Sequence, residues 1–245
     1  MNSEPKRLII SLVALVAVGI GMLALSRIRS ATTQAQEVYN PVIRPADFVE
    51  RVDNRYFPLA SGTTLVSRGA RNGTTETMVV TGETKTIMGV KTTVVRDREV
   101  NKNNELIEDT YDWYAQDNNG HVWYFGEDTT VYKHGQAVSR AGSWEAGQGG
   151  ALPGIIMKKH PQVGESWRQE YSKGVAEDMA EVVGTAETVT VPAGTYTSCV
   201  KTKDWDSRHP YAAEYKYYCP GAGIVLETPA VGSGGRTELI SIQHK

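Results

Sequence analysis

The stretch ELIEDTYDWYAQDNNGHVWYFGE, residues 105–127, decides the fold, because it holds two aromatic-rich runs on either side of a tight turn. An Asn-Gly pair between such runs is the strongest short-range signal for a β-hairpin, since the turn needs residues that accept positive φ. Asn119 and Gly120 supply that pair. The stretch therefore predicts two antiparallel strands joined at residues 117–120.

Comparable strand patterns occupy most of the chain after residue 55. The runs TTETMVVTGETKTI from Thr74 and VKTTVVRDREV from Val90 are rich in Thr and Val with interleaved charges. Gly, Asn and Pro separate such runs at strand-length intervals. Residues 31–55 are predicted to form a polar tether and one short helix at Pro45–Val52, because proline favours the first turn of a helix. The chain is therefore predicted to be mainly β.

Two parts of the chain resemble each other. The segment DWYAQDNNGHVW from Asp112 aligns with KYYCPGAGIV from Lys216, since each places an aromatic pair before a Gly-containing turn. The predicted units cover residues 56–127 and 159–228, and a chance similarity is the alternative. Two meanders of about five strands each predict an antiparallel curved sheet, a half-barrel or a sandwich. All of this lies in a single domain, residues 56–245.

A membrane segment is predicted within residues 1–30. Residues 8–25 form an uncharged, almost wholly apolar run with basic residues on both sides. At about 1.5 Å per residue this run reaches roughly 27 Å, close to the thickness of the hydrocarbon core. We predict a retained single-pass anchor, with a cleaved signal peptide as the alternative. Ala17 and Gly21 form a small-xxx-small pair that suits helix packing in a membrane.

The location of the rest of the chain follows from this segment. The domain is expected on the periplasmic or extracytoplasmic face of a bacterial inner membrane, or secreted if the segment is cleaved. Cys199 and Cys219 are the two cysteines and lie equally far from His209, which stands in a turn-rich heptapeptide. If that heptapeptide is a hairpin tip, the cysteines face each other and form a disulfide in an oxidising compartment. Two buried free thiols are the alternative.

Charge and motifs exclude several functional classes. After residue 30 the chain carries 22 basic and 27 acidic residues, a net charge of −5, and it has no basic run. Binding to nucleic acid is therefore not expected. No motif of a serine hydrolase, a zinc protease or a P-loop is present, so we predict no catalytic residues, no metal and no cofactor. The carboxylates of Glu108, Asp109 and Asp112 are expected to lie on a solvated face. An enzyme is not expected.

One segment suggests a contact surface. Residues 128–158 fall between the two proposed units and are predicted to form an inserted loop, which includes GSWEAGQGGALPGIIM from Gly142. Long Gly-rich loops on β scaffolds often act as lids or contact loops. The side chains that would close over a hydrophobic ligand or press into a partner are Trp144, Ile155, Ile156 and Met157. The alternative is that the loop plugs one end of the core.

Several strings resemble known proteins. The strings DNRYFPLASGTTLV from Asp53, SWEAGQGGALPGIIM from Ser143 and YKYYCPGAGIV from Tyr215 resemble a widespread group of bacterial exported β-rich proteins without an assigned activity. The Pro-x-x-Gly start at Pro161 and the VPAG string from Val191 are similar to lipoprotein carriers of the LolA-like type. That second resemblance implies a half-barrel that holds acyl chains. Neither resemblance implies catalytic residues.

Two hypotheses about function follow. The first is a membrane-anchored extracytoplasmic β domain that acts as a binding or accessory subunit, with a protein partner in a larger membrane complex. The second is a periplasmic carrier or sensor of an apolar ligand such as a lipid, held in the curved sheet. Residues 8–25 are expected to supply the contact with the membrane, and their removal would favour a free carrier.

Overall fold

The computed structural model describes residues 39–70, 73–231 and 235–244. The predicted membrane segment, with Ala17 and Gly21, lies outside these residues, so the choice between anchor and signal peptide stays a prediction. Among the described residues, no helix has the length and apolar character to cross a membrane.

Strands dominate the described chain. A 3₁₀ turn at Pro45–Asp47 precedes them. The strands are β1 (Phe48–Val49), β2 (Asp53–Asn54), β3 (Phe57–Pro58), β4 (Thr64–Gly69), β5 (Thr75–Ile87), β6 (Val90–Val100), β7 (Leu106–Asp117), β8 (Val122–Lys133), β9 (Gln136–Ser139), β10 (Trp144–Glu145), β11 (Leu152–Met157), β12 (Ser166–Arg168), β13 (Glu170–Tyr171), β14 (Asp178–Val191), β15 (Gly194–Asp206), β16 (Ala213–Cys219), β17 (Gly223–Pro229) and β18 (Thr237–Gln243).

One large antiparallel sheet contains almost all of these strands. Its order is β12-β14-β15-β16-β17-β18-β4-β5-β6-β7-β8-β11-β13, and β1, β9 and β10 pair at its side with β7 or β8. Strands β4 to β8 form one meander, here called the first meander. Strands β12 and β14 to β17 form the second meander, and β18 joins the two. The predicted mainly β fold, an antiparallel curved sheet built from two similar meanders, is therefore confirmed.

The two ends of the sheet meet on residues 166–171. The first part of this segment, β12, pairs with β14, and the second part, β13, pairs with β11. Gly154 permits the meeting, because a Cβ on it would lie 2.3 Å from the carbonyl atoms of Gln169. No side chain fits at that distance, so only glycine allows the two backbones to approach so closely.

The two meanders begin with the same hydrogen bonds. In the first, Gly62 N donates to Val80 O at 2.9 Å, and in the second, Gly164 N donates to Val182 O at 2.9 Å. In both cases the valine N–H donates to the carbonyl of the residue that follows the glycine. The local geometry at these two glycines is thus the same, which supports the proposed duplication without testing its origin.

Two local predictions were wrong. The predicted helix at Pro45–Val52 is a single 3₁₀ turn that ends where β1 pairs with β7, because Phe48 packs edge-on against the rings of Trp123 and Phe125. The predicted inserted loop, residues 128–158, consists largely of the end of β8 and of β9, β10 and β11, which pair with β8. Because these residues pair with β8, the segment is largely β-strand despite its high glycine content.

The hydrophobic core has two parts. The larger cluster brings the meanders together, since it contains Val80 and Val95 from the first and Val182 and Tyr218 from the second. The smaller cluster packs the far half of the β14–β15 hairpin against β17, β18 and β4. The side of the sheet that carries these valines is therefore the core-facing side of both meanders.

Candidate functional site

The predicted contact residues lie in or against the core. Trp144 is 6% exposed, packs edge-on against Tyr124 at 5.4 Å and donates a hydrogen bond from Nε1 to Glu170 Oε2 at 3.1 Å. Met157 is fully buried, and Ile155 and Ile156 are half-buried against the larger core cluster. These positions favour the plug over the lid, because an anchored, buried indole is not available to a partner.

The predicted disulfide is confirmed. Cys199 and Cys219 are bonded, with their Cα atoms 4.2 Å apart. They lie on β15 and β16, one position beyond the paired residues Val200 and Tyr218. The hairpin that the turn-rich segment around His209 predicts therefore brings them opposite each other.

The strand register places equivalent positions of the meanders in matching rows. In the first meander Val95 lies opposite Asp112, and Asp112 lies opposite Glu127. In the second meander Lys216 lies opposite Glu227. The two rows are Val80, Val95, Asp112, Glu127 and Val182, Thr202, Lys216, Glu227. Because side chains opposite each other share one face of a sheet, both rows point to the core-facing side.

The first cluster consists of Glu76, Asp97, Asp112 and Glu127. The Tyr124 hydroxyl donates to Asp112 Oδ1 at 2.5 Å and lies 3.3 Å from Glu127 Oε2. Burial, together with the charge of Glu127, raises the pKa of Asp112 to about 8. Burial and the neighbouring Glu76 raise the pKa of Asp97 well above its usual range. Several carboxyl groups thus share one poorly solvated region, so some of them hold protons at neutral pH.

The second cluster consists of Asp204, Glu214, Lys216 and Glu227. The Lys216 Nζ atom lies 3.2 Å from Glu214 Oε1, 3.8 Å from Glu227 Oε1 and 4.0 Å from Asp204 Oδ2. Burial alone would lower the pKa of Lys216, but Glu214 and Glu227 outweigh it and raise that pKa. Burial raises the pKa of Asp204 to about 6, against the opposing effect of Lys216. This cluster therefore contains its own cation.

Several buried polar atoms around the second cluster lack a hydrogen-bond partner in the described chain. They are the Tyr218 hydroxyl, Arg168 Nη1 and Trp167 Nε1, whereas Thr202 and Gln169 lie near Asp204 and lower its pKa through long, poorly aligned hydrogen bonds. Asp204 is 5% exposed and Tyr218 is fully buried. A buried polar group without a partner typically destabilises a protein by about 1–3 kcal/mol, so a group of them calls for an explanation.

Two cavities lie near these elements. An interior cavity of about 50 Å³ lies between the meanders, with Glu76, Met78 and Leu65 on one side and Leu226 and Glu227 on the other. An open groove of about 820 Å³ lies at the opposite end of β7 and β8, and its exposed walls include Arg51, Arg55, Lys159 and His160. The interior cavity is far below the roughly 300–1,000 Å³ of ordinary ligand pockets. The small size of the interior cavity therefore does not favour a carrier of acyl chains.

No group of three metal-ligating side chains converges anywhere in the described residues. The carboxylates of the first cluster are spread along neighbouring strands rather than gathered around one point. Carboxylates arranged in this way can accept hydrogen bonds from donor groups nearby. They do not form the closed shell of oxygen ligands that a small metal ion needs.

The sequence interpretation missed the first cluster. It placed Glu108, Asp109 and Asp112 together on a solvated face, but this was wrong for Asp112, which is 9% exposed. Asp109 does lie on the other face, where it pairs with Arg96 at 2.6 Å. The alignment of Asp112 with Lys216 was the one sequence signal for this cluster. It places a charged residue at the same strand position in both units, which indicates that this position is polar in both.

Two solved structures align with most of this chain. No protein family and no curated protein matches the chain. A protein of Bacteroides fragilis, described as exported and with a YmcC-like fold, aligns over 78% of this chain and 99% of its own, at 14% identity and a TM-score of 0.47. A protein of Parabacteroides distasonis, described as a lipoprotein, aligns over the same shares at 14% identity and a TM-score of 0.37. Neither likeness shows what this chain binds, and the LolA-type resemblance stays a prediction.

Proposed function

We propose that this chain is an extracytoplasmic binding domain, held at a membrane by residues 8–25, that acts as a binding or accessory subunit rather than as an enzyme. The observation that carries the proposal is the polar interior between the meanders, where the two clusters lie together with the buried Tyr218 hydroxyl, which has no hydrogen-bond partner in the described chain. Buried carboxylates weaken a fold, and natural proteins break packing rules of this kind mainly at functional sites.

The leader and the disulfide support the location. The apolar run of residues 8–25 suits a membrane segment, and the Cys199–Cys219 bond suits an oxidising compartment. A domain that is tethered in this way meets other membrane proteins at high effective concentration, which favours a binding role.

The competing hypothesis of an apolar carrier receives less support. The core-facing side is filled by aromatic and aliphatic side chains, and the interior cavity of about 50 Å³ is bordered by Glu76 and Glu227. An acyl chain would need a longer and less acidic space. We therefore propose the carrier role no further.

The experiment that tests the location is intact-mass measurement of the full chain recovered from washed membranes. A mass that includes residues 1–30 is expected for an anchored subunit. A mass that begins after residue 25, together with recovery in the soluble fraction, would contradict the anchor.

The experiment that tests the binding role is purification of the full chain in mild detergent, followed by size determination and mass spectrometry of bound species. We expect a stoichiometric partner or ligand with the natural chain and its loss with Asp112→Asn. The matched control is Asp109→Asn, which removes a carboxylate from the same strand on the opposite face. A bare monomer in all three preparations would overturn the proposal.

A further inference from the structure

We propose that the open groove at the end of β7 and β8 binds the headgroup of a phospholipid that carries both a phosphate and a primary ammonium group. The phosphate lies toward Arg51, Arg55 and Lys159, and the ammonium lies toward Glu50 and Asp53. This inference rests on the membrane location in the proposed function, and it concerns a site separate from the polar interior between the meanders.

Buried side chains hold together the three segments that line this groove. The segments are residues 49–56, 116–120 and 159–162. Asn54, which is 4% exposed, connects them, because its Nδ2 atom donates to Gly120 O at 2.8 Å and to Lys158 O at 3.3 Å. Gln116 Nε2 donates to Asp53 Oδ1 at 2.7 Å, and the Asp53 backbone N–H donates to Gln116 Oε1 at 3.0 Å. The groove therefore has its shape before a ligand binds.

Three basic side chains of the groove have no acidic partner. Arg51, Arg55 and Lys159 are exposed, and none of them forms an ion pair within the described part of the chain. The Lys159 side chain lies across Gly120, where a Cβ would stand 2.8 Å from its Cδ atom. Guanidinium and ammonium groups hold phosphate oxygens through short, charge-assisted hydrogen bonds. These three side chains are therefore available to a phosphate.

The groove also contains acidic side chains that stay apart from these cations. Glu50 and Asp53 are exposed, and neither forms an ion pair with another described residue. Asp117 also lines the groove, but its two carboxylate oxygens accept hydrogen bonds from the His121 backbone N–H and from Trp123 Nε1, both at 2.9 Å. Charges of both signs thus line one groove without neutralising each other. A ligand with both signs complements them, whereas a simple anion also meets the acids.

The size and the apolar surface of the groove favour a lipid headgroup. Its volume of about 820 Å³ lies within the roughly 300–1,000 Å³ of ordinary ligand pockets. Val49, Tyr56 and Pro161 add apolar surface, and Val49 is 37% exposed. These side chains suit the glycerol part of a lipid and its first methylene groups. Because the groove is open, the acyl chains can remain in the bilayer.

The groove lies close to the point where the chain enters the domain from the predicted membrane segment. The 13 residues between Leu25 and Tyr39 span at most about 45 Å when fully extended. The chain then reaches the 3₁₀ turn, where Asp47 O accepts a hydrogen bond from Asn118 N at 2.7 Å, and Val49 of the groove follows. The tether therefore keeps the groove within reach of the headgroup layer, at high effective concentration.

The test is calorimetric titration of the full chain, held in a non-ionic amphipol, with dihexanoyl phospholipids below their micelle concentration. The lipid probes differ only in their headgroup, which is ethanolamine, choline or glycerol, and O-phosphoethanolamine is the soluble probe. We expect saturable binding of the ethanolamine lipid. The choline lipid should bind about tenfold more weakly or worse, because its methylated nitrogen donates no hydrogen bond, and so should the glycerol lipid, which has no cation.

Variants on the two sides of the groove separate the two ends of the ligand. Arg55→Gln should weaken binding of the ethanolamine lipid by about tenfold or more, because it removes a phosphate contact. The double variant Glu50→Gln/Asp53→Asn should bind the ethanolamine lipid no better than the glycerol lipid. The control is Lys133→Gln, which removes an exposed lysine at the other end of β8 and should leave binding unchanged. Circular dichroism of every variant checks that the β fold is retained.

Three outcomes would overturn the inference. They are an absence of saturable binding of the ethanolamine lipid, equal affinity for the three headgroups, and unchanged affinity in Arg55→Gln. Binding of O-phosphoethanolamine with the ethanolamine lipid inert would overturn the lipid source and support the phosphate and ammonium chemistry. If the native chain retains residues 1–30 but no probe binds, the membrane location stands and the groove proposal falls. If those residues are absent and the probes bind, the anchor falls instead.

Discussion

The two meanders of this protein use the same backbone for opposite electrostatic arrangements. In the second, Lys216 stands among Asp204, Glu214 and Glu227. In the first, the equivalent position is Asp112, whose pKa burial and Glu127 raise to about 8. In the second meander an ammonium lies among the acids, although burial still raises the pKa of Glu227 to about 8. In the first meander no ammonium of the described chain pairs with Asp112, and burial raises its pKa to the same value.

This difference shows that strand register fixes where charge is placed but not how it is compensated. The second meander is also cross-linked by Cys199–Cys219, whereas the first has Ala115 directly after Tyr114, where the second has Cys219 after Tyr218. The second meander therefore has an internal cation and a disulfide that the first lacks at the equivalent positions. It nevertheless retains a buried Tyr218 hydroxyl without a hydrogen-bond partner in the described chain.

The largest effect is expected from removal of the internal cation. Lys216→Met should lower the free energy of unfolding by about 3 kcal/mol at pH 8, because it leaves the buried carboxylate of Asp204 and the half-buried carboxylate of Glu227 without their cation. The loss should be smaller at pH 5, where Asp204, with its pKa of about 6, is protonated. Urea denaturation at pH 8 and pH 5 measures the two losses in the free energy of unfolding. The control is Lys133→Met, which removes an exposed lysine on β8. Equal losses for the two variants would refute the role of Lys216.

The next effect concerns the cross-link. Reduction of Cys199–Cys219 should lower the free energy of unfolding by roughly 3 kcal/mol, as the chain-entropy model gives for a loop of this length. Thermal melting with and without a reductant measures the change, and the Cys199→Ser/Cys219→Ser double variant should melt at the reduced temperature in both buffers. An unchanged melting temperature on complete reduction, checked by thiol titration, would contradict the expectation.

The pH dependence of stability should reveal the first cluster. The pKa of Asp112 is raised to about 8 in the folded chain, so the folded state binds a proton that the unfolded state releases near pH 4. The free energy of unfolding should therefore fall as pH rises from about 4 to 8, by on the order of 1 kcal/mol per pH unit. Asp112→Asn should flatten this fall. An identical slope in the variant and the natural chain would show that Asp112 is not the group responsible.

The smallest effect is expected on the outer face. Arg96 holds Asp109 through two hydrogen bonds of 2.8 and 2.6 Å, but the arginine side chain is 37% exposed. Asp109→Asn should change the free energy of unfolding by about 1 kcal/mol or less, because solvent and salt screen such a pair. Denaturation at low and high salt measures it. A loss as large as that of Lys216→Met would erase the distinction between the two faces.

The hairpins and the disulfide could be predicted because their signals are local. The Asn119–Gly120 turn fixes the β7–β8 hairpin, and the turn around His209 brings Cys199 opposite Cys219. The segment from Gly142 to Met157 could not be predicted in this way. Its glycines suggested a loop, but Gly154 serves a close approach to Gln169, a contact with no local signature.

The acid clusters show the same limit. Asp109 and Asp112 are three residues apart, so the two-residue alternation of a strand sends them to opposite faces. Which face meets the core depends on how the whole sheet curves. The sequence could therefore supply the aligned pair Asp112 and Lys216 but not the fact that both are turned inward.

By itself, the sequence determined the β class, the order of the hairpins and the disulfide, because short-range periodicity and turn chemistry govern all three. Only the tertiary structure decided that the sheet closes on residues 166–171 and that acids line the space between the meanders. Closure joins strands that are far apart in the chain, and the burial of a charge is a property of everything that surrounds it. The placement of Asp112 and Lys216 on one inner face therefore became visible only in the folded molecule.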